Sequence, residues 1–144
     1  MTTPTTVLCI PGFWSRDDLL LASVAAEAKG FLVTGRRFVH PDSNTVLDIE
    51  IEPPDPRLEA AFKAAGAHWV SARDLKRIRQ HKQVIYLVGE CGSDTRAGVF
   101  MLAASAVLRA GGHSVKVESS GLAHSRAKWL QLTHNHYLFR AHEA

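Results

Sequence analysis

The 144 residues of the chain suffice for one domain with one substantial core, and they are too few for two domains of usual size. Apolar residues make up 46% of the chain and charged residues 22%, which matches a globular protein and excludes disordered, collagen-like and coiled-coil classes. The net charge is only +3, so nucleic-acid binding is permitted but not implied.

The sequence shows no membrane or secretion signal. Its longest apolar run, Ala97–Leu108, is much shorter than the roughly 20 residues that cross a bilayer. The first residues lack the positive region of a signal peptide, so we expect a cytoplasmic protein. Cys9 and Cys91 are the only cysteines, and we expect two free thiols.

Turn residues and hydrophobic periodicity predict the elements of the first half of the chain. Pro11-Gly12 ends the first strand, and Ser15 together with Asp18 forms a variant of the capping box that begins a helix. In order, the predicted elements are a strand Thr5–Ile10, a helix from Ser15 to Gly30, hairpin strands Arg36–His40 and Val46–Glu52, and a helix with Asp55 as N-cap and Pro56 as its first residue.

The second half repeats the capping pattern and contains the most apolar helix. Residues 95–110 are apolar on nearly every side, so this helix should be covered on most of its surface. In order, we predict a short helix capped by Ser71 and Asp74, a strand Gln83–Val88, a helix Thr95–Ala110, a strand His113–Glu118, a turn at residues 119–121, and a last helix with Ala123, Ala127 and Leu130 inward. The tail His134–Ala144 is ambiguous, and its Tyr137, Leu138 and Phe139 fit a core or an interface equally.

The predicted order is β-α-β-β-α-α-β-α-β-α, without a repeat or a linker long enough to separate domains. We therefore expect a single domain, residues 1–144, of mixed α/β (α+β) class. The first six major elements, β-α-β-β-α-β, have the order of a ferredoxin-like split unit, and an α-β-α extension follows it.

A candidate binding site follows from the β-α-β unit of residues 83–118. Such a unit almost always has parallel strands, so the turns after both strands lie at one sheet edge, and we expect each turn to open a helix. Helix starts carry unpaired N–H groups that bind anions. If the first strand also runs parallel, its turn joins this rim and completes a binding crevice. The candidate binding residues of the rim are Trp14, Arg16, Ser93, Asp94, Arg96, Ser119, Ser120, Gly121 and His124.

Each of these turns also has a purely structural interpretation. Ser, Asp and Gly at helix starts satisfy backbone groups without any ligand. Trp14, beside Phe13, is either a lid on the core or an exposed interface anchor.

Cys91 is the candidate nucleophile of an alternative, enzymatic interpretation, with His124 as its base. A thiol near a helix N-terminus and an arginine, here Arg96, is favoured as the reactive thiolate. The spacing of Cys91 and Arg96 does not match the phosphate-binding loop of tyrosine phosphatases. The chain also lacks Gly-rich nucleotide-binding patterns and a serine–histidine–acid motif.

Asp48, Glu50 and Glu52 lie on one face of a predicted strand. Their spacing would hold a divalent ion only with help from another strand. We expect instead that they face solvent and pair with Arg36 or Arg37 across the hairpin.

Two further stretches suggest binding chemistry only weakly. The basic helix at residues 73–82 could contact nucleic acid, but no aromatic residue is interleaved for base stacking, and surface solvation explains it more simply. The histidines match no metal motif, although His134 and His136 come nearest, and we expect no metal and no cofactor.

Two segments, Val7–Trp14 (VLCIPGFW) and Val115–Ser125 (VKVESSGLAHS) followed by Trp129, resemble a family of bacterial domains of unknown function. The resemblance spans the chain from the first strand through the last clear helix. It implies a bacterial cytoplasmic protein, and it directs attention to Trp14 and to residues 119–124.

These observations favour a small non-enzymatic binding protein, of the size of bacterial immunity or regulatory partner proteins. We expect the rim to engage another protein or a small anionic ligand. The alternatives are an enzyme with Cys91 as nucleophile and His124 as base and, more weakly, nucleic-acid binding through residues 73–82.

Overall fold

The computed structural model describes residues 5–65 and 70–143, with side chains described up to residue 135. Within these residues the chain forms five α-helices and a seven-stranded sheet. In chain order the elements are β1 (Thr5–Gly12), α1 (Asp17–Glu27), β2 (Leu32–Val33), β3 (Arg37–His40), β4 (Thr45–Glu52), α2 (Leu58–Ala65), α3 (Ala72–Arg79), β5 (Gln83–Glu90), α4 (Asp94–Arg109), β6 (Val115–Val117), β7 (Leu122–His124) and α5 (Arg126–Glu143).

The strands lie in the order β2-β3-β4-β5-β1-β6-β7, and every neighbouring pair is antiparallel. Strands β5 and β6 are therefore parallel to each other, as predicted for the β-α-β unit, but β1 lies between them and runs the opposite way. The expectation that β1 runs parallel to them is wrong. Its carboxyl end lies at the opposite edge of the sheet.

The mixed α/β class is confirmed, and a ferredoxin-like strand order is present with different members from those predicted. The unit is β1-α1-β4-β5-α4-β6, whose strands lie in the spatial order β4-β5-β1-β6. Strands β2 and β3 extend one side of it, and β7 extends the other. Helices α2 and α3 are inserted between β4 and β5.

The sheet carries apolar side chains on both faces. Leu8 and Ile10 pack with α1, α4 and α5 in the main core, whereas Cys9 between them packs with α2 and α3 in a smaller core on the other face. This alternation follows from the two-residue period of a strand. We call the face with the smaller core the outer face. Eight of the residues of α4 are buried, which confirms that this apolar helix is covered on most of its surface.

Helix starts agree with prediction at two of the three predicted capping turns. Ser71 caps α3 in a full capping box, and Asp55 accepts the backbone N–H of Arg57 in the turn before α2. Helix α2 itself begins at Leu58, two residues after the predicted start at Pro56. The expected cap at Ser15 is wrong. Arg16 is the N-cap residue of α1 and makes no side-chain cap bond, because a guanidinium has no acceptor for a backbone N–H; it donates instead to the carboxylate of Asp18.

The last predicted helix begins later than expected. Residues 122–124 form β7, an antiparallel partner of β6, and α5 begins at Arg126. Ala123 is buried on the outer face of the sheet instead of on a helix stripe. The ambiguous tail continues α5 to Glu143, but the side chains of residues 137–139 lie outside the described ones. None of the described helices is long and apolar enough to cross a membrane.

Candidate functional site

The predicted rim is divided between the two edges of the sheet. Because β1 is antiparallel to β5, Gly12 pairs with Gln83 and Thr5 pairs with Glu90. The turn that carries Trp14 and Arg16 therefore lies at the edge where β5 begins. The start of α4 lies at the other edge, where β5 ends.

Trp14 covers the core and is not an exposed anchor. Its side chain is 7% exposed, and its Nε1 atom donates to the carbonyl of Ala110 at the end of α4, at 3.0 Å. The ring lies directly over Gly12 and close to Gly111. Arg16, in contrast, is exposed and pairs with Asp18 at 2.9 Å. Neither residue faces the other predicted rim residues.

The start of α4 is closed by its own cap. Ser93 accepts the backbone N–H of Arg96 at 3.1 Å, and Asp94 places a carboxylate in the first turn of the helix. The guanidinium of Arg96 lies 3.7 Å from the Glu90 carboxylate. The side chains of Ser93 and Asp94 thus stabilise the positive end of the helix without a ligand. The turn therefore has a structural role as a helix cap.

The second predicted anion seat does not open a helix. Residues 119–121 form the turn of the β6–β7 hairpin, in which Gly121 adopts a positive φ of 69°. Ser120 accepts the backbone N–H of Leu122 at 3.3 Å, and Ser119 is exposed. The geometry that should bind an anion is therefore absent from this turn.

Cys91 and His124 do not form a catalytic pair. His124 pairs with Val115, which lies near the level of Ile85, whereas Cys91 follows the far end of β5. The two side chains are about 20 Å apart along the strands and about 14 Å apart across three strand spacings. Burial, and then the charge of Lys128, lower the pKa of His124. Its ring packs against Trp129.

A histidine that the sequence did not single out forms a compact polar cluster near Trp14. His113 Nε2 lies 3.4 Å from the Asp74 carboxylate, and its Nδ1 lies 3.2 Å from Ser114 Oγ. Burial lowers the pKa of His113, and the charge of Arg77 acts in the same direction. Ser114 is fully buried, so no substrate can reach it as a nucleophile. The cluster therefore ties α3 to the start of β6 and does not form a catalytic triad.

A groove on the outer face, which we call the strand-face groove, is a candidate binding site among the described residues. It has a volume of about 580 Å³. It is lined by Tyr86 on β5, by Glu50 and Glu52 on β4 and by the proline-rich segment 53–57, and Val84 is fully buried at its base. The sequence indicated the face of these carboxylates but not the groove.

The floor of the strand-face groove is an aromatic side chain. Tyr86 lies opposite Cys9 on the neighbouring strand β1 and packs against the smaller core that contains Cys9. Burial raises the pKa of Tyr86 well above its usual range, and burial followed by the charge of Glu118 raises the pKa of Cys9 to about 12. Both groups are therefore neutral at physiological pH, and the floor presents an uncharged aromatic surface.

The outer face continues beyond Glu50 into a second groove of about 420 Å³. There Arg37 binds Asp48 at 3.1 Å, which confirms the predicted cross-strand pairing for Asp48. The same prediction is wrong for Glu50 and Glu52, because Arg36 binds Asp17 instead. Val46 and Val88 form its apolar part, so the two grooves follow one another along β4 and β5.

Some of the charged side chains in the predicted basic helix, residues 73–82, contact other parts of the protein. Arg77 stacks on the ring of Phe13 at 4.2 Å, and Arg79 binds Glu59 at 2.7 Å. His81 is buried and accepts the backbone N–H of Asp55 at 2.9 Å. These contacts reduce the number of cations that remain for a polyanion.

The histidines of the tail do not form a strand chelate. The backbone at residues 134 and 136 is helical, within α5, and not the strand on which alternate residues could chelate; the side chain of residue 136 lies outside the described ones. Among the side chains that the structure describes, no group of three or more His, Cys, Asp or Glu is arranged to hold a metal ion.

Comparison with known proteins does not assign this site. No protein-family model, curated protein or solved structure matches the chain, so the family resemblance of its two motifs stays a prediction.

Proposed function

We propose that the protein is a non-enzymatic binding protein whose partner lies along the outer face of its sheet, in the strand-face groove. This proposal keeps the binding role that the sequence favours and moves the site from the sheet edge to the sheet face.

One observation carries the proposal: the outer side chains of β4 are uncovered. Val46, Asp48, Glu50 and Glu52 are all exposed, whereas the residues between them face the main core. Helices α2 and α3 pack elsewhere on this face, over Cys9 and its neighbours.

The composition of the uncovered strip supports binding. Its floor is apolar and aromatic, and charged groups stand at its sides, which is the usual arrangement of a site with an apolar centre and a polar border. Val46, near the start of β4, is 42% exposed and adds an apolar side chain to the strip.

A steric block of the groove tests the proposal. A tagged protein is incubated with soluble lysate of the native host at physiological salt, and retained proteins are identified by mass spectrometry. The comparison includes Glu50→Trp, which fills the groove, and Asp42→Trp, a matched change at an exposed carboxylate outside it. We expect a stoichiometric partner to bind the parent and Asp42→Trp but not Glu50→Trp. Equal retention by all three proteins contradicts the proposal.

The two alternatives receive less support from the geometry. The wide separation of Cys91 and His124 removes the base from the proposed nucleophile. The internal contacts of Arg77 and Arg79 leave a smaller basic surface on α3.

A further inference from the structure

We infer that the occupant of the strand-face groove is an extended polypeptide segment with positively charged side chains at alternate positions. The inference rests on the proposed function, because it names the chemistry of the partner at the same site.

The first reason is the charge that remains uncompensated in the groove. Its only cation, Arg57, is bound to Asp55 through two hydrogen bonds of 3.1 and 3.2 Å. Glu50 and Glu52 are exposed, and neither makes an ion pair with another described residue. Two carboxylates are thus free to bind cations.

The second reason is the spacing of these carboxylates. Glu50 and Glu52 are alternate residues of one strand, so they lie about 6 to 7 Å apart on the same face. Alternate side chains of another extended segment have the same spacing. A segment that lies along β4 therefore places its own alternate residues opposite both carboxylates.

The third reason is the floor, which suits the side chains of lysine and arginine. Their aliphatic stems pack on apolar surface while the charged head reaches a polar group, and a cation is attracted to the face of an aromatic ring. The half-buried ring of Tyr86 supplies this aromatic surface beside the carboxylates.

The groove is also held in shape before a partner binds. Pro53, Pro54 and Pro56 restrict the backbone of its wall. The wall is fixed to the end of α3, since the backbone N–H of Asp55 donates to the buried ring of His81. A site that is already ordered loses little entropy on binding.

A cationic probe provides a stringent test, because the protein itself carries a net charge of +3 and repels cations as a whole. The probe is a peptide of alternating lysine and threonine, and its control is the corresponding glutamate and threonine peptide. Each is titrated into isotope-labelled full-length protein while the backbone amide resonances are recorded. We expect the lysine peptide to shift the resonances of β4 and β5 and its affinity to fall as salt is added.

A pair of charge-matched variants locates the interaction. We expect Glu50→Gln with Glu52→Gln to weaken binding of the lysine peptide about tenfold. Asp42→Asn with Asp94→Asn removes the same charge at exposed sites outside the groove and should change the affinity less than about twofold.

Several results overturn the inference. The inference is wrong if the lysine peptide does not bind, or if it shifts resonances away from β4 and β5. It is also wrong if both double variants lose the same affinity for the lysine peptide, or if the glutamate peptide binds as tightly as the lysine peptide. Its failure is distinguishable from failure of the proposed function. If Glu50→Trp abolishes capture of a native partner but Glu50→Gln does not, the groove binds a partner that is not selected by charge.

Discussion

Trp14 and Gly12 should be strongly coupled in their effect on the free energy of unfolding. A Cβ atom on Gly12 would lie 2.0 to 2.6 Å from three carbons of the Trp14 ring, and the positions closest to it all belong to that ring. The backbone of Gly12 is not left-handed, so the obstacle to a side chain is steric contact with this ring and not backbone strain. We expect Gly12→Ala to destabilise the parent protein by about 2 to 3 kcal/mol, as overpacking does.

The cost of removing Trp14 follows from its burial. A tryptophan that buries roughly 200 Å² contributes about 5 kcal/mol at about 25 cal/mol per Å², and truncations of this kind cost about 3 to 5 kcal/mol. In the Trp14→Ala background the obstacle is absent, so Gly12→Ala should cost less than about 0.5 kcal/mol. If Trp14→Ala leaves too little folded protein, Trp14→Phe offers a milder background, because phenylalanine lacks the outer ring that meets Gly12.

Urea denaturation followed by far-UV circular dichroism measures this cycle on the parent, the two single variants and the double variant. The expected coupling energy is at least about 1.5 kcal/mol. Additive effects, within about 0.5 kcal/mol, would refute the placement of Trp14 over Gly12 and would revive Trp14 as an exposed anchor.

Three further outcomes are expected. Ser71→Ala removes the N-cap of α3 and should lower the free energy of unfolding by about 1 kcal/mol, measured by urea denaturation. Cys91, which is half-buried, should react with iodoacetamide at pH 8 while Cys9, whose pKa burial raises to about 12, stays unmodified until the chain unfolds, as mass spectrometry can record. Burial lowers the pKa of His113 below 6.5, so as the pH falls the histidine is protonated in the unfolded chain before it is protonated in the folded one. The free energy of unfolding should therefore decrease below about pH 6.5 and become constant below the pKa of the folded state. His113→Gln should reduce this slope in denaturation series at several pH values, and His124, whose pKa is also lowered, should account for part of the remainder.

Local chemistry made most of the elements predictable. The capping pair Ser71 and Asp74 marks the start of α3, and the glycines at 111 and 112 end α4. The strand β7 was missed because three residues are too few to show a strand period, and Ala123 fits an apolar helix stripe as well as a buried strand face. The strand order depends on pairing between distant segments, which local patterns do not specify.

The candidate site failed at two steps, the direction of β1 and the turn at residues 119–121, which joins β6 to β7 instead of opening a helix. A parallel β1 would have brought Trp14 to the rim, but nothing in the sequence of a short apolar strand states which way it runs in the sheet. The outward face of β4 was predictable, since alternation placed Asp48, Glu50 and Glu52 together and Arg37 opposite Asp48. Which of these residues a helix would cover was not predictable from alternation.

The proline segment decides that question. Pro53 and Pro54 cannot continue the hydrogen-bonded ladder of β4, and neither they nor Pro56 can stand inside a helix. The chain therefore leaves the sheet after Glu52 and begins α2 only at Leu58. Helix α2 packs over Cys9 and Val84, and the carboxylates of β4 remain uncovered beside a wall of prolines. The three prolines thus separate the end of β4 from the start of α2, and the groove lies along the segment between them.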